Sequence, residues 1–344
     1  MVPKKKQSGI AKIKQLRRNE PSSQELISGI LAKDKSALAR AITIIESANQ
    51  EHVDKAHKII EGCLSKNTKS IRIGITGVPG VGKSTFIESL GKMLTRLGEK
   101  VAVLAVDPSS SLTKGSILGD KTRMELLAKD PNAFIRPSPS SESLGGVAKK
   151  TRESIILCEA AGYTIILVET VGVGQSETVV HGMVDFFLLL KLAGAGDELQ
   201  GIKRGIMEMA DGIVINKADG DNKKEADKAK IEFTRALHLY PPKENNWYPK
   251  VLTCSALHHN GITDIWEMIT EFLELVKNNS SFDENRIQQN KTWFLETVNS
   301  QLHQNFFNNT AVKSKMNILL TDIEESKISP FFAAKKLLEL SKTP

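Results

Sequence analysis

The stretch GITGVPGVGKSTFIESLG, residues 74–91, constrains the fold more than any other part of the chain. An apolar run at 71–76 leads into the pattern G-x-x-x-x-G-K-[ST], and an amphipathic segment follows from about Thr85. Strand, glycine-rich turn and helix in this order are typical of a loop that surrounds nucleotide phosphates. We therefore predict a P-loop NTPase core that binds a nucleotide.

The residue types of this loop follow from phosphate chemistry. Glycines permit backbone conformations that a Cβ would forbid, so that successive N–H groups point at phosphate oxygens at a helix N-terminus. The Lys83 ammonium can bridge the β- and γ-phosphates, and the Ser84 hydroxyl can take one position on Mg²⁺. The predicted phosphate-binding residues are Gly77, Val78, Pro79, Gly80, Val81, Gly82, Lys83, Ser84 and Thr85.

Length and cysteine content place few limits on the fold. A chain of 344 residues is long enough to bury a large apolar core without disulfides or structural metal. Cys63, Cys158 and Cys254 are far apart and show no C-x-x-C spacing. We expect them to be buried small hydrophobic residues in a reducing compartment. No apolar run is long enough to span a bilayer.

The net charge of +7 is concentrated at the start of the chain. Residues 1–20 carry seven Lys and Arg against one acid, and we expect this tail to be disordered. The rest is nearly balanced and poor in aromatic residues, so we expect neither a nucleic-acid nor a membrane partner. The tail lacks the apolar run of a secretory signal. It is Lys-rich rather than Arg- and Ser-rich, which favours a cytoplasmic protein over a mitochondrial matrix one.

Apolar spacing changes along the chain. A helical period at 22–66 predicts two or three helices, whereas short apolar runs alternate with longer mixed segments from residue 71. The predicted strands are 71–76, 101–106, 163–168, 186–190, 213–215 and 251–254. Such a pattern predicts an α/β fold with a mostly parallel sheet flanked by helices, with ligands at the carboxyl ends of its strands.

Four segments follow from this pattern. After about residue 278 an Asn- and Ser-rich stretch leads into a predicted helix with apolar residues at 293, 294, 298 and 302, and a last helix is predicted at about 330–340. The predicted segments are a basic tail at 1–20, an N-terminal helical segment at 21–68, a nucleotide-binding core at 69–277 and a C-terminal helical extension at 278–344.

The stretch IVINKADG indicates which base is bound. The Asp219 carboxylate can accept hydrogen bonds from N1–H and the 2-amino group of guanine, donors that adenine lacks. We predict that Lys217 lies along the base plane and that Asn216 ties this loop to the P-loop. Ser255, Ala256 and Leu257 follow a predicted strand, where a backbone N–H can reach the guanine O6.

Acidic residues near strand ends are candidates for sensing the γ-phosphate. Asp107, Asp120 and Glu169 are predicted to hold Mg²⁺, although they also suit helix caps or surface positions. Gly172 can offer an N–H to the γ-phosphate, and Gln175 either positions the attacking water or is an ordinary polar residue. The predicted catalytic residues are Lys83, Glu169, Gly172 and Gln175. The pair His258–His259 is expected to lie in a solvated turn rather than in a metal site.

Several long motifs resemble one family. The segments GVPGVGKST, DPSSSLTKGSILGDKTRM, RPSPSSESLGGVA, ETVGVGQSE, KLAGAGDELQGIKRGIMEMAD and NKADG are similar, in this order, to the MeaB/ArgK family of SIMIBI-class GTPases, which includes the human methylmalonic aciduria type A protein. The resemblance covers about residues 22–275. It implies that GTP and Mg²⁺ are bound, and that GTP is hydrolysed.

The resemblance also implies a partner. Members of the family are GTP-dependent chaperones of adenosylcobalamin-dependent methylmalonyl-CoA mutase, which gate cofactor loading and protect the mutase. They are homodimers that use C-terminal helices, and a switch loop corresponding to about 191–204 couples nucleotide state to the partner. An older description as an arginine/ornithine transport kinase conflicts with the guanine-reading motif.

Two other functions remain open at this stage. One is a SIMIBI-class metallochaperone GTPase for nickel enzyme maturation, although the His-rich tracts or Cys-His pairs usual in such proteins do not occur near the P-loop. The other is a targeting GTPase that recruits RNA or a membrane through the basic tail.

Overall fold

The computed structural model describes residues 20–47, 49–64, 70–106, 124–137, 144–170, 176–194 and 204–340. The predicted basic tail therefore lies, up to residue 19, outside the described residues. Within them, seven strands form one sheet in the order β3-β2-β4-β1-β5-β6-β7. The strands are β1 (Ile71–Gly77), β2 (Val101–Val106), β3 (Ala133–Arg136), β4 (Ile165–Thr170), β5 (Phe186–Leu192), β6 (Gly212–Asn216) and β7 (Lys250–Thr253).

Every strand pairing in this sheet is parallel. The predicted α/β fold with a mostly parallel sheet is confirmed, and the sheet is more uniform than expected. Because the strands are parallel, the loops after β1, β4, β6 and β7 all begin at one edge of the sheet. The glycine-rich loop follows β1, which lies between β4 and β5.

Helices connect the strands and extend the chain at both ends. In chain order they are α1 (Ser23–Leu31), α2 (Lys35–Glu46), α3 (Gln50–Leu64), α4 (Lys83–Arg96), α5 (Glu125–Ala128), α6 (Leu144–Ala160), α7 (Ser176–His181), α8 (Arg204–Met209), α9 (Lys223–Leu237), α10 (Ile262–Asn278), α11 (Ser281–Asn308), α12 (Thr310–Glu324) and α13 (Pro330–Glu339). The three N-terminal helices agree with the helical period of residues 22–66.

Six of the seven strands occur where the apolar runs predict them, with ends displaced by at most two residues. β4 begins and ends two residues later than predicted, so Glu169 lies inside the strand rather than at its end. The sequence prediction missed β3, which has four residues and ends at Arg136. Helix α4 begins at Lys83 rather than near Thr85.

The N-terminal helices are tied to the sheet by long basic side chains. Lys35 Nζ donates to the carbonyl oxygen of Ala133 in β3 at 2.6 Å. Arg136 pairs with Glu46 at the end of α2, where its Nε lies 3.2 Å from Glu46 Oε1. Burial raises the pKa of Glu46, and its hydrogen bond with Arg136 opposes that shift. These contacts hold α2 against the edge strand.

A buried ionic network lies at the opposite, amino edge of the sheet. Arg286 donates from Nε and Nη2 to Asp185 at 2.9 and 2.8 Å, and from Nη2 to the Ser70 carbonyl at 2.8 Å. The backbone N–H of Arg72 also donates to Asp185, and Arg72 Nε donates to Glu159 at 2.8 Å. The network therefore fixes the first turns of α11 at the start of β1.

The chain divides into two compact units, of which the second begins at Ile287. Within this second unit α12 packs against α13, and their buried side chains include Val312, Leu319 and Ala333. Helix α13 begins as its sequence suggests, because Ser329 caps the N–H of Phe332 and Pro330 occupies the first turn. Helix α12 was not predicted from the sequence.

Two further observations concern the cysteines and the apolar content of the helices. Cys63, Cys158 and Cys254 are buried and free, as expected, and burial raises the pKa of Cys63 to about 11 and of Cys254 to about 12. In the described part of the chain, no helix is both long and apolar enough to span a bilayer.

Gly74 in β1 offers a test of the packing on one face of the sheet. A Cβ at this position would lie 2.8 Å from Phe187 Cδ2 and 3.0 Å from methyl carbons of Val180 and Val184. We expect Gly74→Ala to lower the free energy of unfolding by about 1–3 kcal/mol, the usual cost of overpacking a core. Chemical denaturation of the purified protein measures it.

Gly205 provides the matched control. It lies in helix α8, and a Cβ there would meet nothing within 4 Å. Gly205→Ala should leave stability unchanged or raise it by up to about 1 kcal/mol, because alanine is the better helix former. Equal stability of Gly74→Ala and the wild type would contradict the packing described for β1.

Candidate functional site

The glycine-rich loop joins the buried strand β1 to helix α4. Gly82 has φ +94°, a left-handed conformation, and a Cβ there would lie 2.8 Å from Asn216 Nδ2. Glycine is therefore required at this position for its conformation and for space. Pro79 and Gly80 are exposed, whereas Val81 and Lys83 are buried. The loop thus presents its outer turn to solvent and anchors its second half in the core.

Lys83 is only 8% exposed, and its ammonium faces the loop itself. Its Nζ donates to the carbonyl oxygens of Gly77 at 2.7 Å and Val78 at 3.2 Å. Burial lowers the pKa of Lys83, and the charges of Glu169 and Glu177 act against that shift. The Lys83 ammonium therefore lies against the backbone of the loop for which the sequence motif predicts phosphate contacts.

Ser84 and Glu169 meet next to this lysine. Ser84 Oγ lies 3.4 Å from Glu169 Oε1, at the long end of the hydrogen-bond range. Glu169 is 8% exposed and lies in β4, the strand beside β1. A hydroxyl and a carboxylate side by side form an oxygen donor set of the kind that Mg²⁺ takes, so these two residues fit a magnesium ion bound with the phosphates.

Glu177 and Ser176 were missed by the sequence analysis. They begin α7, and both are at least 95% buried. Within the described residues, Ser176 Oγ and Glu177 Oε2 have no hydrogen-bond partner. A signal was present in the sequence, since both residues directly follow the predicted γ-phosphate segment. Glu177 adds negative charge near Lys83 that the motif alone does not indicate.

The second loop of the site follows β6 and is held by Asn216. Asn216 Nδ2 donates to the Val81 carbonyl at 2.8 Å, which is the predicted tie to the P-loop. Its Oδ1 accepts from the Ala256 N–H at 3.2 Å and from Cys254 Sγ at 3.3 Å. One buried amide therefore joins the phosphate loop to the two loops predicted to read the base.

Asp219 and Ser255 lie together at the outer end of this arrangement. Ser255 Oγ donates to Asp219 Oδ2, which orients the carboxylate. Lys217 is exposed and has a left-handed φ of +60°, and Leu257 is 69% exposed. Ala256 N–H is engaged by Asn216, which leaves the Leu257 N–H as the better candidate for contact with a guanine O6. The structure thus gives Ser255 and Ala256 contacts within the protein that the sequence analysis did not anticipate.

The structure brings most of the predicted site together but does not describe all of it. Asp107, Asp120, Gly172 and Gln175 lie outside the described residues, as do residues 195–203 of the predicted switch segment. His258 and His259 are exposed, as expected of a turn, but the ring of His259 also bonds to Ser89. That contact was not predicted.

Comparison with known proteins gives a consistent assignment. The family model described as methylmalonyl Co-A mutase-associated GTPase MeaB matches residues 38–311. GTPase ArgK of Escherichia coli K12 is 44% identical over 325 residues, which cover 94% of this chain and 98% of that protein. A probable GTPase of Mycobacterium tuberculosis H37Rv is 46% identical over 316 residues, with 92% and 94% covered.

A mitochondrial relative and a solved structure extend the comparison. The methylmalonic aciduria type A homolog of Mus musculus is 42% identical over 328 residues, covering 92% of this chain and 79% of that protein. A crystal structure described as a LAO/AO transport system kinase has a TM-score of 0.75 and 38% identity, and covers 94% of this chain and 99% of that one. The P-loop fold is thereby confirmed. The chain belongs to the MeaB family of methylmalonyl-CoA mutase-associated GTPases, and it is a GTPase.

Proposed function

We propose that this GTPase is a chaperone of an adenosylcobalamin-dependent methylmalonyl-CoA mutase, which gates cofactor loading and protects the mutase. The match of the MeaB family model to residues 38–311 carries this proposal, because its description names the mutase and its span includes both nucleotide loops. The name of the mouse relative supports it, since methylmalonic acid is the acid whose CoA thioester is the substrate of such a mutase. The family match also favours this function over nickel enzyme maturation.

The phosphates are assigned to the loop from Gly77 to Thr85. Phosphate oxygens carry more negative charge than the Gly77 and Val78 carbonyls that now accept from Lys83 Nζ. A bound triphosphate would therefore attract the ammonium away from them, which couples phosphate binding to the shape of the loop. Lys83 then stabilises charge that develops on the transferred phosphoryl group.

Magnesium is assigned to Ser84 and Glu169, whose oxygens are adjacent. Mg²⁺ bound there would neutralise phosphate charge during hydrolysis. Asp107 and Asp120 remain further proposed ligands. Gly172 is proposed to contact the γ-phosphate, and Gln175 to position the attacking water.

Guanine is assigned to Asp219, with support from Ser255. The contact of Ser255 with Asp219 Oδ2 fixes the carboxylate, and the other oxygen is then available to a base donor. Lys217 would lie against the base plane, and the 255–257 loop would approach O6. Adenine presents an acceptor at N1 and lacks the 2-amino donor, so the other oxygen of the carboxylate would be left without a donor.

The mutase is proposed to act through the segment 191–204, which leads into helix α8. GTPases of the P-loop class commonly leave part of their catalytic machinery to a partner, so intrinsic hydrolysis should be slow. If the mutase binds the GTP state more tightly than the GDP state, GTP must strengthen mutase binding by the same factor. Because of this reciprocity, the bound nucleotide would change the affinity for the mutase, and the mutase would change the affinity for the nucleotide.

GTP turnover measured alone and with the methylmalonyl-CoA mutase of the same organism tests the proposed function. We expect stimulation of about tenfold or more, which requires only about 1.4 kcal/mol of added transition-state stabilisation. ATP should give no comparable turnover. Lys83→Ala should abolish hydrolysis, because the cation beneath the phosphates is lost.

Lys224→Ala is the matched control, since Lys224 is an exposed lysine on α9. It should hydrolyse GTP like the wild type. Tight GTP binding without stimulation by the mutase, and without a complex between the two proteins, would contradict the proposed client while leaving the GTPase assignment intact.

The second unit supports the further proposal that the protein is a homodimer. Helix α11 has no buried residue, and its apolar residues Phe294, Val298 and Leu302 are 66%, 37% and 62% exposed. Residues four apart share one face of a helix, so these three form an apolar stripe. A second copy of the chain would cover such a stripe, as other exposed apolar patches of this kind are covered in oligomers.

Light scattering after gel filtration tests the dimer. The wild type should have twice the mass of one chain, and Phe294→Asp with Leu302→Asp should yield a monomer, because buried unpaired carboxylates are costly. Ser300→Asp on the opposite face should remain dimeric. A wild type with the mass of a single chain, or a double variant that stays dimeric, would contradict this use of α11.

A further inference from the structure

We propose that His259 and Ser89 form a positioning pair that fastens the guanine-reading loop to the phosphate-binding helix α4. This inference rests on the proposed guanine site and assigns a specificity role to two residues outside both nucleotide motifs. The pair should set the affinity for the base while leaving the affinity for phosphate unchanged.

The loop in question, residues 255–260, is closed on itself at its base. Ser255 N–H donates to the Asn260 carbonyl at 3.0 Å, and Asn260 N–H donates back to Ser255 at 3.1 Å. The residue before it, Cys254, is fixed to the sheet through Ile215 at 2.9 Å and to the other base-reading loop through Ala218 at 2.9 Å. The two ends of the loop are therefore held firmly.

The first half and the tip of the loop are held by different contacts. Ser255 and Ala256 are buried and bonded to Asp219 and Asn216. From Leu257 onward the residues are exposed, and the N–H proposed to approach guanine O6 belongs to this exposed part. A contact that fixes the tip would thus fix that N–H.

His259 supplies such a contact. Its Nδ1 lies 2.6 Å from Oγ of Ser89, a residue that is 3% exposed on α4. Helix α4 begins at Lys83, so the bond joins the tip of the proposed base loop to the element proposed to bind phosphate. His259 also has φ +58°, a conformation that is uncommon for a residue other than glycine and persists where the surroundings hold it.

The chemistry of the pair does not depend on the tautomer of histidine. A serine hydroxyl both donates and accepts, so Oγ can accept from Nδ1–H or donate to Nδ1 when the ring hydrogen is on Nε2. The bond therefore forms with either tautomer of the ring.

Equilibrium affinities for GDP and for pyrophosphate, a ligand without a base, test the pair. Ser89→Ala and His259→Ala should each weaken GDP binding roughly three- to tenfold, the usual effect of one net hydrogen bond. The double variant should be no weaker than either single one, and pyrophosphate affinity should stay within about twofold of wild type. His259→Asn should restore GDP binding, because an amide takes the place of Nδ1 and asparagine tolerates positive φ.

His258→Ala is the matched control, an exposed histidine one position away, and should bind GDP like the wild type. Equal weakening of GDP and pyrophosphate, additive single variants, or unchanged GDP affinity in Ser89→Ala would each overturn the pair. Asp219→Asn separates the two proposals, because it should lower GDP affinity whether or not the pair matters. If Asp219→Asn has no effect, the guanine site and the pair are both wrong.

Discussion

The buried side-chain amide of Asn216 is the interaction on which the nucleotide site depends. It is 2% exposed, donates to Val81 in the phosphate loop, and accepts from Ala256 and Cys254 after β7. An amide that lost these partners would leave several buried polar groups unsatisfied, each at a cost of about 1–3 kcal/mol. The loops proposed to contact phosphate and base are thus joined through one side chain, and residue 82 must be glycine because the Asn216 amide occupies the space that a Cβ would need.

The two edges of the parallel sheet hold different groups of residues. At the carboxyl edge, Glu169 and Asn216 lie at or near the ends of β4 and β6, and Lys83 and Ser255 lie in the segments that follow β1 and β7. At the amino edge, Arg286 joins Asp185 and Ser70 and holds the first turns of α11. The first turns of the helix proposed to form the dimer are therefore held by hydrogen bonds and an ion pair at the start of β1.

Much of the fold and site could be predicted because residue type and position decide them locally. Strands buried on both faces read as continuous apolar runs, and the contact between Asn216 and the phosphate loop follows from the two motifs. β3 was missed because four residues ending in Arg136 leave no apolar run of useful length. Helix α12 has Val312, Met316, Leu319 and Ile323 at helical spacing, but the exposed Ile318 and Leu320 add apolar residues outside that face, so its period is weak. Ser89 and His259 lie 170 positions apart, and no local pattern relates them.

Affinity for GDP in an Asn216→Asp variant tests whether this amide holds the nucleotide site together. The change keeps the shape of the side chain but places a carboxylate oxygen against the Val81 carbonyl. We expect GDP affinity to fall by about tenfold or more, equivalent to about 1.4 kcal/mol or more, while the sheet stays folded. Asn290→Asp, at an exposed position on α11, should bind GDP like the wild type. If Asn216→Asp binds GDP within about twofold of the wild type, Asn216 does not hold the site together.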